Sequence, residues 1–234
     1  MANEVQALNT PVDVINDEKK SSMTRFILVR HGETMWNFEG RYQGQIDTPL
    51  SPVGTKQGNL VAEALKNVPL DVVYASPLSR SFDTAMMCAN FHGLEVNKDE
   101  RLLEINHGKW EGLFASEIEG LYPELLERWR TTVVDCQMPE GESIEDVRKR
   151  AMAAFNEYAE KHQGQTVLVV AHDAVNKAVL CDILEMEQSH FWQMKQDNTC
   201  INVFEYDGGK WRLVLMNSTV HLGFLFSGVE QKGL

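Results

Sequence analysis

The chain has 234 residues, of which 24% are charged, and its formal net charge is −12 at neutral pH. Such an acidic chain lacks the basic face of a nucleic-acid-binding protein, although a few residues can still make one pocket basic. No apolar run approaches the roughly 20 residues of a membrane-spanning helix, so we expect no membrane contact. The four cysteines, none at C-x-x-C spacing, are typical of free thiols in a reducing compartment, which predicts a cytoplasmic protein.

The start of the chain, residues 1–22, is polar and acidic. It has no apolar block before a small-residue cleavage site, and it is not rich in arginine, so it resembles neither a signal peptide nor a transit peptide. We predict a disordered acidic tail over 1–22, with Met23 as an alternative start. A single domain is predicted over 23–234.

The first predicted strand, residues 25–30, leads directly into Arg30 and His31. Ligands of α/β proteins bind outside the carboxyl ends of strands, so this loop predicts an anion site with a nucleophile or proton carrier. Thr34 is a candidate helix cap. The alternative is a surface loop with solvated side chains. Residues 36–50 show no periodicity and predict a loop long enough to be functional.

Strands and helices alternate through the rest of the chain. In chain order we predict a helix from Ser51 to about Lys66, a strand at 71–75, a helix from about Arg80 to Phe91, an edge strand at Leu94–Val96, two helices within 116–132 separated by Pro123, a helix from Ser143 to about His162, a strand at 166–171, a helix to about Leu184, and strands near 201–206 and 211–216 joined by a hairpin turn. This order predicts an α/β fold, a three-layer α/β/α sandwich with a mostly parallel central sheet. The stretch at about 105–140 would be a small helical cap excursion.

Three of these strands deliver polar residues at their carboxyl ends: Arg30 with His31, then Arg80, then His172. Parallel strands end along one edge, so these groups can converge on one pocket. Two arginines can clamp a phosphoryl group, and two histidines supply a nucleophile and a hydrogen-bond donor. Glu104 lies in an apolar stretch, where burial would raise its pKa and suit it to protonating a leaving oxygen. Such a set needs no metal and no cofactor.

Eight short motifs resemble those of the histidine phosphatases, the phosphoglycerate-mutase-like superfamily, and follow the family's order. They are R-H-G-E-T at 30–34 with Asn37, R-Y-Q-G at 41–44, D-T-P-L-S at 47–51, S-P-L-S-R at 76–80, L-L-E at 102–104, G-K-W-E-G at 108–112, P-E-G-E-S at 139–143 and V-A-H at 170–172. The resemblance covers about residues 25–220 and implies the family's fold. The run V-V-A-H-D-A-V-N-K-A is also locally similar to plant carboxyarabinitol-phosphate phosphatases.

The resemblance implies a role for each matching catalytic residue. His31 would be the nucleophile that becomes phosphohistidine, and Arg30, Arg80 and His172 would hold the phosphoryl oxygens. Glu104 would protonate the leaving alcohol and then act as base for the attacking water.

Further positions follow from the same resemblance. Asn37, Gln43 and Gly44 would lie at the phosphate and substrate side of the pocket. Glu33 would orient the loop.

The chain departs from the family after the second histidine, where many members have Gly and this chain has Asp173. We expect Asp173 to cap the following helix rather than to act in catalysis, and a contact of Lys177 with an acidic substrate is the weaker alternative for that residue. Arg128 and Arg130 are expected to be exposed helix charges, with selection of an anionic substrate as the alternative. The histidines outside the motifs, including His107, match no ligand spacing and are expected to be structural or solvated.

The leading functional hypothesis is a metal-independent phosphomonoesterase acting on a small phosphorylated metabolite. The runner-up is a 2,3-bisphosphoglycerate-dependent phosphoglycerate mutase, which needs extra cationic groups. Family mutases carry a longer, arginine-containing insert before the second histidine, and the stretch from Glu104 to His172 is compact. A non-catalytic phospho-ligand-binding protein would lack a catalytic group, yet all are present. Sugar phosphates, phosphoglycolate, phosphoglycerate-type acids, phosphoserine and nucleoside-linked phosphates remain open as substrates, as does a homodimer through an edge strand or the excursion.

Overall fold

A mixed six-stranded sheet forms the middle of the computed structural model, which describes residues 22–223. Its strands are β1 (Thr24–Arg30), β2 (Val72–Ala75), β3 (Val96–Lys98), β4 (Thr166–Ala171), β5 (Ile201–Asp207) and β6 (Lys210–Ser218). They lie in the order β3-β2-β4-β1-β5-β6. The first four strands run parallel to one another, whereas β5 pairs antiparallel with both β1 and β6. The prediction of a mostly parallel sheet is confirmed.

Helices cover both faces of this sheet. They are α1 (Met35–Glu39), α2 (Pro52–Leu65), α3 (Ser79–Asn90), α4 (Ala115–Leu121), α5 (Pro123–Thr131), α6 (Ile144–Lys161) and α7 (Asp173–Ile183). All six residues of β4 are buried, and their side chains alternate between two cores. Leu168 and Val170 pack with α2 and α3, whereas Val167 and Val169 pack with α6 and α7. This confirms the three-layer sandwich.

The largest difference from the sequence prediction lies in residues 36–50, where no helix was expected. The chain forms the short helix α1 there, after Thr34 as the N-terminal cap. The Thr34 hydroxyl accepts a hydrogen bond from the Asn37 N–H at 3.1 Å, and the Thr34 N–H donates to Asn37 Oδ1 at 3.1 Å. Five residues are too few to show helical periodicity, and the capping box uses Asn in place of the usual Glu or Gln.

Other boundaries agree more closely. Pro123 separates α4 from α5, and Ser143 begins α6 with Asp146 as its capping-box partner, both as predicted. The edge strand β3 lies two residues later than predicted, at Val96–Lys98. The 3₁₀ helix Gln188–Gln193 has no counterpart among the elements predicted from the sequence.

The excursion between β3 and α6 contains α4 and α5, which bury Ile118, Leu126 and Trp129 against the α6–α7 core. Its role as a cap stays a prediction, as does the division into a tail and one domain. The predicted tail lies outside the described residues except for Ser22, whose hydroxyl donates to Asp207 Oδ1 at 2.8 Å. Within residues 22–223, no helix combines the length and apolarity needed to cross a bilayer.

Candidate active site

The two histidines meet where β1 and β4, neighbours in the sheet, end. Arg30 is paired in register with Ala171, and the His31 N–H donates to the Ala171 carbonyl at 3.1 Å. The next residue on each strand is therefore a histidine at the same edge. The ring centroids of His31 and His172 are 5.1 Å apart, with the ring planes inclined by 60°. The sequence prediction that these strand ends converge holds for both histidines.

His31 is held as a neutral imidazole with a defined tautomer. Its Nδ1 lies 2.7 Å from the Gly32 carbonyl oxygen, and because a carbonyl only accepts, Nδ1 carries the proton. The lone pair is then on Nε2. Burial lowers the pKa of His31 well below its usual range, and the charges of Arg80 and Arg30 lower it further. Nε2 is thus free to attack an electrophile.

His172 occupies the N-cap position of α7, although its side chain makes no capping hydrogen bond, and it is fully buried. Neither ring nitrogen has a hydrogen-bond partner within residues 22–223. Burial lowers the pKa of His172 well below its usual range, with further contributions from Arg80 and His31. Because an unpartnered buried donor is unfavourable, this ring is suited to donating to an oxygen placed between the two histidines.

Arg30 and Arg80 bring two buried guanidinium groups to the same place. Arg30 Nη1 donates to the Gln196 carbonyl at 2.6 Å, and Arg80 donates to the carbonyls of Gly44 at 2.7 Å and Ile46 at 3.0 Å. Burial lowers the pKa of Arg80 to about 10, against the opposing effect of Glu104, so the group stays charged near neutrality. Backbone carbonyls fix both cations in advance, which suits them to binding an anion without reorganisation.

Gly44 combines a left-handed backbone conformation with a close approach to the Glu111 side chain. Its φ is +55°, and a Cβ there would clash with the Glu111 carboxylate. That carboxylate accepts hydrogen bonds from the backbone N–H groups of Gln45, at 2.8 Å, and His107, at 3.2 Å. Burial raises the pKa of Glu111, although these hydrogen bonds oppose the shift. The glycine therefore allows the backbone conformation in which the Gly44 carbonyl accepts a hydrogen bond from Arg80.

Asn37 and Gln43 are linked through Thr34. The Gln43 Oε1 atom accepts hydrogen bonds from the hydroxyls of Thr34 at 2.8 Å and Thr48 at 2.6 Å. Asn37 Oδ1 is engaged in the capping box of α1. Both amides are thus oriented by their oxygens, and their contribution to substrate binding stays a prediction.

The loop that carries His31 is braced from the α2–α3 side. Glu33 accepts from the Ser51 hydroxyl at 2.8 Å, which ties the loop to the first turn of α2. The Thr84 hydroxyl accepts from the Gly32 N–H at 3.2 Å and donates to the Arg80 carbonyl at 2.8 Å. Glu33 is thus tied to α2, and its role in orienting the loop stays a prediction.

Glu104 is buried beside these cations. Its Oε1 accepts the Ile105 N–H at 2.9 Å. Burial raises the pKa of Glu104, and the charge of Asp173 raises it further, against the opposing charges of Arg80 and Arg30. A carboxyl with a raised pKa can hold a proton near neutrality and give it up to a leaving group.

The backbone around Glu104 is fixed by Arg150 of α6. Arg150 donates to the carbonyls of Glu104 at 3.0 Å and Leu103 at 2.5 Å, and it forms an ion pair with Glu142 at 2.8 Å. Glu142 also accepts the Asn106 N–H at 2.9 Å. No sequence pattern points to Arg150, because a helix residue that binds a distant backbone carbonyl leaves no local signal.

The expectation that Asp173 caps α7 is wrong. Neither of its carboxylate oxygens accepts a hydrogen bond from a backbone N–H group of α7 among the described residues. Instead its carboxylate lies 3.5 Å from Arg30 Nη1 and 2.9 Å from Lys177 Nζ. The carboxylate therefore pairs with two buried cations and makes no hydrogen bond to the amide groups of the helix end.

Comparison with known proteins agrees with this geometry. Residues 26–219 match the histidine phosphatase superfamily (branch 1). The chain is 39% identical over 201 residues to phosphoserine phosphatase 1 of Hydrogenobacter thermophilus, covering 86% of this chain and 95% of that one. It is 36% identical over 217 residues to a metal-independent phosphoserine phosphatase of Arabidopsis thaliana, covering 90% of each.

Solved structures give the same match. The Entamoeba histolytica phosphoserine phosphatase in complex with 3-phosphoglyceric acid superposes with a TM-score of 0.78 at 34% identity, covering 85% of this chain and 99% of that one. A Bacillus stearothermophilus protein, YhfR, superposes with a TM-score of 0.82 at 30% identity and the same coverage.

Proposed function

Because the chain belongs to the histidine phosphatase superfamily and is a metal-independent phosphomonoesterase of small phosphorylated substrates, we propose that His31 is its nucleophile and Glu104 its acid. The observation that carries this proposal is the neutral His31 ring, with its proton on Nδ1, beside His172 and two fixed guanidinium groups.

In the first half of the reaction His31 Nε2 attacks the phosphorus and the bond to the ester oxygen breaks. The Glu104 carboxyl gives its proton to that oxygen, so the product leaves as an alcohol. Arg30, Arg80 and His172 stabilise the charge on the phosphoryl oxygens, which is the main requirement of phosphoryl transfer. The enzyme is left with phosphohistidine at His31 and a carboxylate at Glu104.

The second half reverses these roles. The Glu104 carboxylate takes a proton from water, whose oxygen attacks the phosphorus of phosphohistidine. The phosphorus–nitrogen bond breaks and its electron pair returns to His31 Nε2. Phosphate leaves, and both Glu104 and His31 regain their starting protonation states.

Among small phosphomonoesters, phosphoserine and similar carboxylate-bearing esters are the substrates we propose. Relatives named phosphoserine phosphatase, at 36% and 39% identity, support this choice, as does the fold shared with structures in complex with phosphoserine and 3-phosphoglyceric acid. We place the enzyme in the cytoplasm, in keeping with its four free, buried cysteines.

Mutase activity is the second candidate, because the chain is also 33% identical over 193 residues to a protein named probable phosphoglycerate mutase GpmB in Yersinia pestis. Incubation with 3-phosphoglycerate and bisphosphoglycerate separates the two activities. A phosphatase releases free phosphate. Rapid 2-phosphoglycerate formation without free phosphate would establish a mutase instead.

The direct test of the mechanism is the His31→Ala variant. We expect turnover of phosphoserine and of an aryl phosphate to fall by about 10⁴-fold or more, since the covalent route is lost. EDTA is expected to leave wild-type activity intact. His92→Ala, which removes a histidine at the end of α3, is the matched control. Unchanged turnover in His31→Ala would refute the assigned nucleophile.

A further inference from the structure

Asp173 is a fully buried carboxylate that the proposed mechanism leaves without a task. It directly follows His172, and one of its oxygens lies 3.5 Å from Arg30 Nη1. Its charge also acts on Glu104. A buried charge exerts a stronger effect on its neighbours than one in water, because the surrounding dielectric constant is lower. Asp173 is therefore placed to influence both the phosphoryl-binding cations and the acid.

Lys177, one helical turn further along α7, is the counterpart of Asp173. Its side chain is buried, and its ammonium nitrogen lies 2.9 Å from the second Asp173 oxygen. The same nitrogen lies 4.9 Å from the ring centre of Phe191 and 4.7 Å from that of Trp192. Two aromatic rings stabilise the cation where water cannot reach it. Lys177 is thus held against Asp173 and away from solvent, which leaves it no access to a substrate in solution.

The charges around the acid come from four elements. Arg30 on β1, Arg80 on α3 and Asp173 on α7 act on Glu104 itself, and Arg150 on α6 donates to its backbone carbonyl. Of these four groups Asp173 is the anion, and the carboxylates of Asp47 and Glu111 act in addition on Arg80. Adding or removing one charge on α7 therefore changes both the attraction for a phosphate dianion and the ease with which Glu104 loses its proton.

We propose that the Asp173–Lys177 pair is a positioning device that sets the charge balance of the phosphoryl pocket. Asp173 offsets part of the positive charge of Arg30 and favours the acid form of Glu104, and Lys177 limits the effect of Asp173. The same cations attract the phosphoryl group of the substrate and the phosphate product. A more positive pocket therefore binds the substrate more tightly but releases the product more slowly. The inference rests on the roles proposed above for Arg30 and Glu104.

Two single substitutions test the pair because they change the charge in opposite directions. Asp173→Asn removes an anion and Lys177→Met removes a cation, each with little change in side-chain volume. For Asp173→Asn we expect competitive inhibition by inorganic phosphate to strengthen about 3- to 10-fold. The basic limb of the kcat/KM profile, which reports deprotonation of Glu104, is expected to move about 0.5–1 pH unit lower.

Lys177→Met is expected to do the reverse, with weaker phosphate inhibition and a basic limb at higher pH. The double variant replaces a buried ion pair by a neutral pair, a change that proteins often tolerate, and both properties should return towards the wild-type values. Asp182→Asn, also on α7, is the matched control. It removes the carboxylate that pairs with Arg148 at 2.6 Å, and Asp182 is not among the main charges that act on Glu104.

A purely structural role for the pair predicts losses of the same sign in both single variants, and that result would overturn the inference. Absence of any shift would overturn it as well. Thermal unfolding of each variant shows whether it folds. If one single variant does not fold, the other single variant and the double variant still show the direction in which phosphate inhibition and the basic limb change. A wild-type protein without phosphatase activity would instead refute the proposed function, and phosphate binding measured by calorimetry does not depend on turnover.

Discussion

The phosphoryl side and the leaving-group side of the pocket are built in different ways. On the phosphoryl side, Arg30, His31 and Arg80 are buried, and each is held by a backbone carbonyl. On the other side, the excursion presents Arg128 and Arg130 on the exposed surface of α5. The charges of the first side are held by hydrogen bonds to the backbone, whereas the two arginines of α5 are exposed, with Arg130 beside Tyr42. We therefore expect the sheet to determine the reaction and the excursion to affect the choice of substrate, and the variants below test that division.

Replacing Glu104 is expected to give the largest difference between substrates that need a protonated leaving group and substrates that do not. Glu104→Gln keeps the shape of the side chain but has no proton to give. We expect kcat/KM for phosphoserine, whose alkoxide leaving group needs that proton, to fall by about 10³-fold. The kcat/KM for p-nitrophenyl phosphate, whose leaving group is stable as an anion, should fall by only about tenfold, because kcat/KM does not include the later hydrolysis of phosphohistidine.

The pH profile gives a second readout for the same variant. The raised pKa of Glu104 means that the wild-type acid form is lost as the pH rises through that value, so the basic limb of phosphoserine turnover should disappear in Glu104→Gln. Equal losses on both substrates would show that the leaving-group side does not depend on Glu104.

Gly44 tests how much rigidity the phosphoryl side needs. Gly44→Ala places a methyl group against the Glu111 carboxylate at a backbone φ of +55°. Either that carboxylate leaves the N–H groups of Gln45 and His107, or the loop shifts together with the carbonyl that holds Arg80. We expect kcat/KM to fall by about 100-fold for every substrate, because small displacements of positioning groups reduce rates by that order. Gly120→Ala, in α4 with open space around it, should be unaffected. A loss confined to one substrate class would contradict the division into two sides.

The sequence was sufficient for the phosphoryl side because its pattern is local. A strand that ends in Arg30-His31 and another that ends in His172 are readable from consecutive residues, and a parallel sheet brings their ends together. The layer order and the break between α4 and α5 followed from periodicity and from Pro123 in the same way. The catalytic roles themselves came from the family resemblance, and they remain to be tested by the variants above.

Supporting contacts could not be read from the sequence, since they join residues far apart in the chain. Arg150 reaches the carbonyl of Glu104 across 46 positions, and Arg30 reaches that of Gln196 across 166. The sequence predicts a helix cap at Asp173 because an acidic residue in the first turn usually stabilises a helix. Two buried cations outweigh that local preference, and only the folded chain reveals them.

His107 is expected to affect the pH dependence of folding stability and not the catalytic reaction. Its ring packs between Tyr42, Trp110 and Trp129, and burial lowers its pKa to about 3. An unfolded chain binds a proton at this residue below about pH 6.5, while the folded chain does not until about pH 3. Folding stability is therefore lost as the pH falls through this window, by about 1.4 kcal/mol per pH unit from this residue.

In His107→Phe that contribution disappears, so denaturant unfolding between pH 6 and about pH 4 should show a shallower loss of stability than in the wild type. Trp110→Phe alters the same aromatic cluster without changing a titratable group, and it should keep the wild-type slope. An unchanged slope in His107→Phe would mean that the acid sensitivity arises elsewhere.

Arg130 gives the smallest effect and the one most specific to the leaving-group side. Burial raises the pKa of Tyr42, and the nearby Arg130 guanidinium opposes that shift, which places an otherwise exposed cation beside the loop that carries Gly44. Arg130→Gln is expected to lower kcat/KM for phosphoserine by about 3- to 10-fold, since an exposed charge contributes about 1 kcal/mol. An ester without a carboxylate, such as p-nitrophenyl phosphate, should be turned over as before. Arg128→Gln on the same helix is the control, and equal losses on both esters in Arg130→Gln would assign this arginine to the phosphoryl side.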